Sequence, residues 1–237
     1  MAGVLAAFDI DDSLAPVNRA MPPGVATRLA QLQAEGVIVT LASGKPCAYL
    51  AGFARAYLDA PRTILIGENG SDIWLSGIMP TRRVLGVARP EAVAELARLR
   101  AALDAGFPSV LFFQPNAVNV TAFPARDSSV TPEALRRFAA GLDPVGVTLY
   151  EHSDSLDIVP AGIDKAVALR HVLEHLGEPA ARAVAVGDGA NDIPMFGLVG
   201  LSICVGDDAK CRAAADVTVA TALEALDLVA AHHSRSR

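Results

Sequence analysis

Residues 5–13 read Leu5-Ala6-Ala7-Phe8-Asp9-Ile10-Asp11-Asp12-Ser13, an apolar run of strand length that breaks into three carboxylates within four positions. An uninterrupted apolar run fits a strand buried on both faces, as in a parallel sheet covered by helices. Asp9 and Asp11 are two apart, so in an extended chain their side chains fall on one face. Carboxylates gathered at the end of a buried strand are costly unless something positive joins them. Ligands of open α/β sheets sit beyond the carboxyl ends of the strands, so the chemistry is expected just after each core strand.

Working outward, residues 37–41 and 63–66 read as further buried strands. Before the first of these, Val25, Leu29 and Leu32 lie at helical spacing, with Pro22 and Pro23 before them and Gly36 as the stop. Pro46 opens a second helix whose apolar face is Leu50, Phe53 and Tyr57. Strand and helix in alternation predict a parallel sheet with crossover helices. The rhythm changes near residue 75. A helix over 90–103, strands over 109–113 and 117–122, a helix begun by Thr131 and Pro132, and a hairpin of 147–151 with 155–159 make a small α+β module. The first rhythm then resumes with a helix over 164–176 stopped by Gly177, strands at 183–186, 201–205 and 216–219, and a helix over 221–231. The tail from His232 is expected to fray, and Trp74 to pack in the core or at a domain junction. The predicted fold is α/β, a core of residues 1–80 and 161–237 interrupted by an α+β insert at 81–160.

With 52% hydrophobic and 19% charged residues in 237, the chain is too apolar to be disordered. A net charge of −6 without a basic run argues against nucleic acid as a partner. No stretch approaches the roughly 18 apolar residues of a membrane span. The opening residues lack the basic region and cleavage site of a secretion signal. Cys47, Cys204 and Cys211 have no metal-ligand spacing and read as buried thiols in a reducing compartment. A soluble, cytoplasmic monomer or homodimer is expected.

The remaining polar clusters follow predicted strands or open helices: Ser43-Gly44-Lys45, Gly67-Glu68-Asn69-Gly70, Lys165, and Gly187-Asp188-Gly189-Ala190-Asn191-Asp192. Collected at one sheet edge, they supply carboxylates for a hard cation and Ser, Lys and backbone N–H groups for an anion. Mg²⁺ suits a few carboxylates completed by water and phosphate oxygen. A carboxylate can attack phosphorus to give an aspartyl-phosphate, and phosphoryl transfer otherwise needs mainly positioning and charge neutralisation.

This ordered set of motifs resembles the haloacid dehalogenase (HAD) superfamily, and the place of the insert resembles its Cof-like, sucrose-phosphatase-like branch with a mixed α/β cap. The resemblance implies a HAD core with a cap domain, a phosphatase activity and a small phosphorylated metabolite as partner. It implies that Asp9 is the nucleophile and Asp11 the general acid and base. It implies Mg²⁺ held by Asp9, the Asp11 backbone carbonyl and Asp188, with Asp192 as a fourth ligand or an anchor behind them. Ser43, Gly44, Lys165 and Asn191 would bind the phosphoryl group.

Plainer roles stand beside these. Asp12 reads as a turn residue bonding its own loop, Ser43 could cap the following helix, and Lys45 could be a solvated charge. Glu68 and Asn69 divide between turn structure and the substrate pocket. Substrate contacts in the insert would come from Asn119, Glu151 and His152, with Gln114, Asn116, Ser153 and Asp157 as further polar positions. Strand 117–122 has no arginine, which a substrate carboxylate would favour. A sugar phosphate is therefore the expected substrate, with phosphoglycolate, or mutase chemistry on a sugar phosphate, as alternatives. A signalling receiver domain would share the acidic pair but leaves the insert and the Asp188 motif unexplained.

Overall fold

The computed structural model describes residues 3–17, 19–77, 83–85 (as backbone) and 88–236. They divide into two compact units, one of residues 1–84 with 164–237 and one of residues 85–163. The boundary expected at residues 80 and 81 lies outside the described residues.

In the first unit, β1 (Leu5–Phe8), α1 (Pro23–Ala34), β2 (Ile38–Ala42), α2 (Cys47–Tyr57), β3 (Ile64–Gly67) and β4 (Asp72–Trp74) lead to β5 (Arg83–Leu85). The second unit supplies α3 (Pro90–Gly106), β6 (Leu111–Phe113), β7 (Val120–Pro124), α4 (Pro132–Ala140), β8 (Val147–Glu151) and β9 (Leu156–Pro160). The first unit then continues with α5 (Lys165–Leu176), β10 (Val184–Gly187), α6 (Ile193–Phe196), β11 (Leu201–Val205), α7 (Ala209–Ala214), β12 (Val217–Val219) and α8 (Ala222–Arg235).

The large sheet runs β12-β11-β10-β1-β2-β3-β4-β5, parallel from β12 to β3 and antiparallel between β3 and β4. All four residues of β1 are buried, as a strand covered on both faces requires. Leu29 and Leu32 of α1, Leu50 of α2 and Leu226 and Val229 of α8 pack into the core with Phe8 and Val39. Because β2 follows β1 on one side and β10 flanks it on the other, the strand order reverses at β1. Ligands settle at such a switch point. Asp9 continues β1 there, donating its N–H to the Val186 carbonyl at 2.9 Å.

The second unit is a four-stranded antiparallel sheet, β6-β7-β9-β8. Leu96, Leu99 and Leu103 of α3 and Leu135 and Ala139 of α4 pack on one face of it, against Val120, Ala122, Leu156 and Ile158. Thr131 caps α4 by accepting from the Ala134 N–H at 3.2 Å. Gly177 closes α5 in the left-handed region at φ 67°, a conformation that favours glycine.

Three expectations need correction. The last helix does not stop at 231: α8 reaches Arg235, begun by a capping box of Thr221 and Glu224. His233 is buried and bonds the Glu35 carbonyl at 3.2 Å, while His232 meets the Arg182 carbonyl, so tertiary contacts hold the tail. Strand β4 was not foreseen, being three residues long; its Trp74 is in the core and donates to the Asp72 carboxylate at 3.1 Å. The strand expected at 117–122 starts three residues later, at Val120. The three cysteines are free and buried. Among the described residues, no helix is long and apolar enough to cross a membrane.

Candidate active site

The loops after β1, β2, β3 and β10, together with the first residue of α5, carry the polar clusters. Lys165 is fully buried at the start of α5, where Asp164 caps the helix by accepting from the Val167 N–H at 2.8 Å. Its Nζ donates to Asp9 Oδ1 and to Asp192 Oδ1, each at 2.7 Å. Asp192 Oδ2 accepts from the Asp188 and Gly189 backbone N–H groups at 3.1 and 3.2 Å. Both Asp192 oxygens are thus engaged within the chain, and this carboxylate pins the β10 loop to Lys165. A Cβ at Gly187 would run into the Asp192 side chain, so that position requires glycine.

Asp9, Asp188 and Asp192 each present an oxygen within 4.8 Å of the others. Three carboxylates around a single ammonium leave an excess of negative charge in a site where Asp9 and Asp192 are buried. Burial is the largest influence on Asp9 and raises its pKa to about 7, with Lys165 opposing and Asp192 and Asp188 adding to the rise. Asp188 is raised as well, chiefly by burial, against the pull of its bond from Ser13. Burial disfavours the charged Lys165, but Asp9 and Asp192 outweigh it and hold its pKa above the ordinary lysine value. Surplus oxygen ligands whose ionisation is penalised are what a hard divalent cation relieves, so the donor set fits Mg²⁺.

Ser13, to which the sequence reading assigned no role, donates from Oγ to Asp188 Oδ1 at 2.9 Å. It stood inside the quoted stretch, but only the pairing of β1 with β10 brings positions 13 and 188 together. Ser13→Ala should weaken Mg²⁺ affinity about tenfold, the lower end for loss of a group that orients a ligand. Titrating the chain with Mg²⁺ alone in a calorimeter reads this directly.

Asp11 stands apart from the three-carboxylate cluster, its Oδ2 lying 3.5 Å from Lys45 Nζ, so Lys45 is not simply solvated. Asp12 does bond its own loop: its backbone is left-handed at φ 57°, and Oδ1 accepts from the Val17 N–H at 2.9 Å. Ser43 is buried and does not cap α2, whose N-cap is Pro46; its Oγ accepts from the Lys45 N–H at 3.2 Å instead. Glu68 and Asn69 both take φ 54°, rare for residues with a side chain and characteristic of strained sites. That turn carries Asn69 to 3.5 Å from Asn191 and sets it against Gly44. Glu68 is buried in that turn, 1% exposed.

Within the second unit, Asn119 is buried just before β7, and Glu151 and Ser153 are exposed at the β8–β9 turn. His152 on that turn lies 3.3 Å from Asp157, whose hydrogen bond holds the imidazole pKa above its usual value. Gln114 donates to Asn116 at 2.7 Å, and Asn116 to Thr121 at 3.0 Å.

Residues 6–95 and 126–225 match the family model for haloacid dehalogenase-like hydrolases. The chain belongs to that family. This HAD-type phosphatase is 29% identical over 229 residues to a phosphoglycolate phosphatase of Natronomonas pharaonis, covering 93% of this chain and 95% of that protein. Among solved structures, it resembles a haloacid dehalogenase-like hydrolase from Bacteroides thetaiotaomicron with a TM-score of 0.77 at 18% identity, over 97% of this chain and 99% of that one. A HAD subclass IIB sugar phosphatase gives a TM-score of 0.67 at 18% identity, over 98% and 99% of the two chains. At these identities the structural likeness establishes the HAD fold.

Proposed function

We propose that this HAD-type phosphatase is a Mg²⁺-dependent phosphomonoesterase that works through an aspartyl-phosphate on Asp9. The observation that carries this reading is the buried Lys165 ammonium bridging Asp9 and Asp192 beside Asp188, at the point where the strand order reverses.

Asp9, Asp188 and the Asp11 backbone carbonyl would hold Mg²⁺, with Asp192 anchoring the loop behind them. When bound, the ion neutralises the phosphoryl oxygens and holds Asp9 ionised. Lys165 fixes the rotamer of Asp9 through Oδ1, so the carboxylate is oriented before substrate arrives. Asp9 attacks phosphorus as the ester P–O bond breaks, and Asp11 gives its proton to the departing alkoxide oxygen. Asp11 then takes a proton from water, whose oxygen attacks phosphorus and releases phosphate from Asp9. Lys45 Nζ lies 3.5 Å from Asp11 Oδ2, so the two side chains share this side of the site. Ser43 and Asn191 would donate to phosphoryl oxygens, and Gly44 leaves room beside them.

For the substrate, the full-length similarity to a phosphoglycolate phosphatase supports a small phosphorylated hydroxy acid. A sugar phosphate is the second reading. It is favoured by the Gln114–Asn116–Thr121 chain, which offers neutral donors and acceptors suited to hydroxyls. Phosphate release should be measured from phosphoglycolate, a set of sugar phosphates and other small esters, with Mg²⁺ and with chelator. Release that needs Mg²⁺ is expected. Isomerised ester in place of free phosphate would mark a mutase, and release undiminished by chelator would overturn the metal assignment.

A further inference from the structure

We infer that Arg19 reads a carboxylate on the leaving group of the substrate, from a pocket on the core unit beside Asp11. This deepens the hydroxy-acid reading above and rests on it. The pocket holds about 360 Å³ and is lined by Asp11, Arg19, Met21, Tyr49, Phe53 and Tyr57. It is built from the β1–α1 segment and one face of α2, and it reaches the proposed acid, Asp11.

Charge balance singles out Arg19. Asp11 already has Lys45 beside it at 3.5 Å, and Lys165 is committed to Asp9 and Asp192. Of the arginines, Arg19 is the one that lines this pocket. Among the described residues, Arg19 has no carboxylate partner and is exposed at the pocket, so it is the surplus positive charge there.

Its backbone is held for the task. The Arg19 N–H closes a turn onto the Pro16 carbonyl at 2.9 Å, and Pro22 and Pro23 stiffen the chain that follows. A guanidinium offers a planar fork that matches a carboxylate with two parallel hydrogen bonds, and apolar pocket walls concentrate its field. Phe53, Tyr57 and Met21 supply such walls, and the half-exposed Tyr49 adds a hydroxyl. Glycolate fills a small part of this volume, so longer hydroxy acids fit as well. The arginine missing from strand 117–122 is thus supplied by the core unit.

The test compares 2-phosphoglycolate with ethyl phosphate, which carries a methyl group where the former has its carboxylate. Values of kcat/KM are measured for the Mg²⁺-loaded full chain, Arg19→Ala and Arg19→Lys. The parent should prefer phosphoglycolate. Arg19→Ala should shrink that preference about 10- to 100-fold, the size of a lost charge-assisted hydrogen-bond pair. Arg19→Lys should restore only part of it, because an ammonium lacks the fork. A preference that survives Arg19→Ala, or a parent that favours ethyl phosphate, overturns the inference. Calorimetric binding of phosphoglycolate to Asp9→Asn, with and without Arg19→Ala, separates this from a failure of the phosphatase reading. A tenfold loss of affinity upholds the role of Arg19 even if no ester is turned over, while unchanged or undetectable binding overturns it.

Discussion

Asp9→Asn should abolish phosphate release, by about three orders of magnitude or more, while the chain folds as before. The amide occupies nearly the same volume as the carboxylate and still accepts a hydrogen bond from Lys165, so packing at the end of β1 is kept. What it lacks is the anionic oxygen that must bond to phosphorus. Stability should not fall with activity. Burial raises the Asp9 pKa to about 7, so at pH 8 without metal the ionised carboxylate is a cost to the fold. The variant should therefore melt no lower than the parent in chelator, and gain less from added Mg²⁺. Phosphate release and thermal melting on the same samples check both halves. Turnover within tenfold of the parent would remove Asp9 from the mechanism.

Lys165→Met carries the largest expected loss of stability. The methionine side chain is close in length, so the defect is electrostatic: the buried Asp9 and Asp192 carboxylates would face one another without their shared cation. Breaking a buried pair from one side costs about 3–5 kcal/mol. The pH dependence has a definite sign. In the parent, the Lys165 pKa lies above the ordinary value, so its stabilising charge is lost only when pH rises past that point, well above neutrality. The Asp9 pKa lies above its unfolded value, so its contribution to metal-free stability is full below about pH 4 and lost as pH rises toward about 7. Removing the ammonium takes away the charge that opposes this rise and lifts the Asp9 pKa further. The deficit of Lys165→Met should thus be larger at pH 8 than at pH 5, as read by denaturant unfolding at both. An equal deficit at the two values would mean that lost packing, and not uncompensated charge, is the cause.

Much of the molecule was legible in the sequence because its signals are local. The buried run at Leu5–Phe8, the Thr131 cap with Pro132, and the stop at Gly177 each depend on a few neighbouring residues and the periodicity of one element. What misled were features without local support. His232 and His233 read as a frayed tail because nothing nearby in sequence holds them, yet carbonyl groups of Arg182 and Glu35 do. β4 is too short to show a period and forms because β3 offers it an antiparallel partner.

The candidate site divides in the same way. The acidic and glycine-rich motifs after β1 and β10, and the Ser43-Gly44-Lys45 turn after β2, are set by residue type at fixed offsets, and the sequence alone placed each at a strand end. Which group touches which was decided by the sheet. Strand order 10-1-2-3 brings Asp9, Lys165 and Asp192 together across separations of 27 and 156 residues, and Ser13 onto Asp188 across 175. It also settled that Asp192 turns both oxygens inward, that Glu68 is buried, and that Arg19 lines a pocket with α2. Offsets along a strand or helix fix where a side chain starts out. Its partner and its exposure depend on which elements pack beside it, and only burial of the whole core determines that.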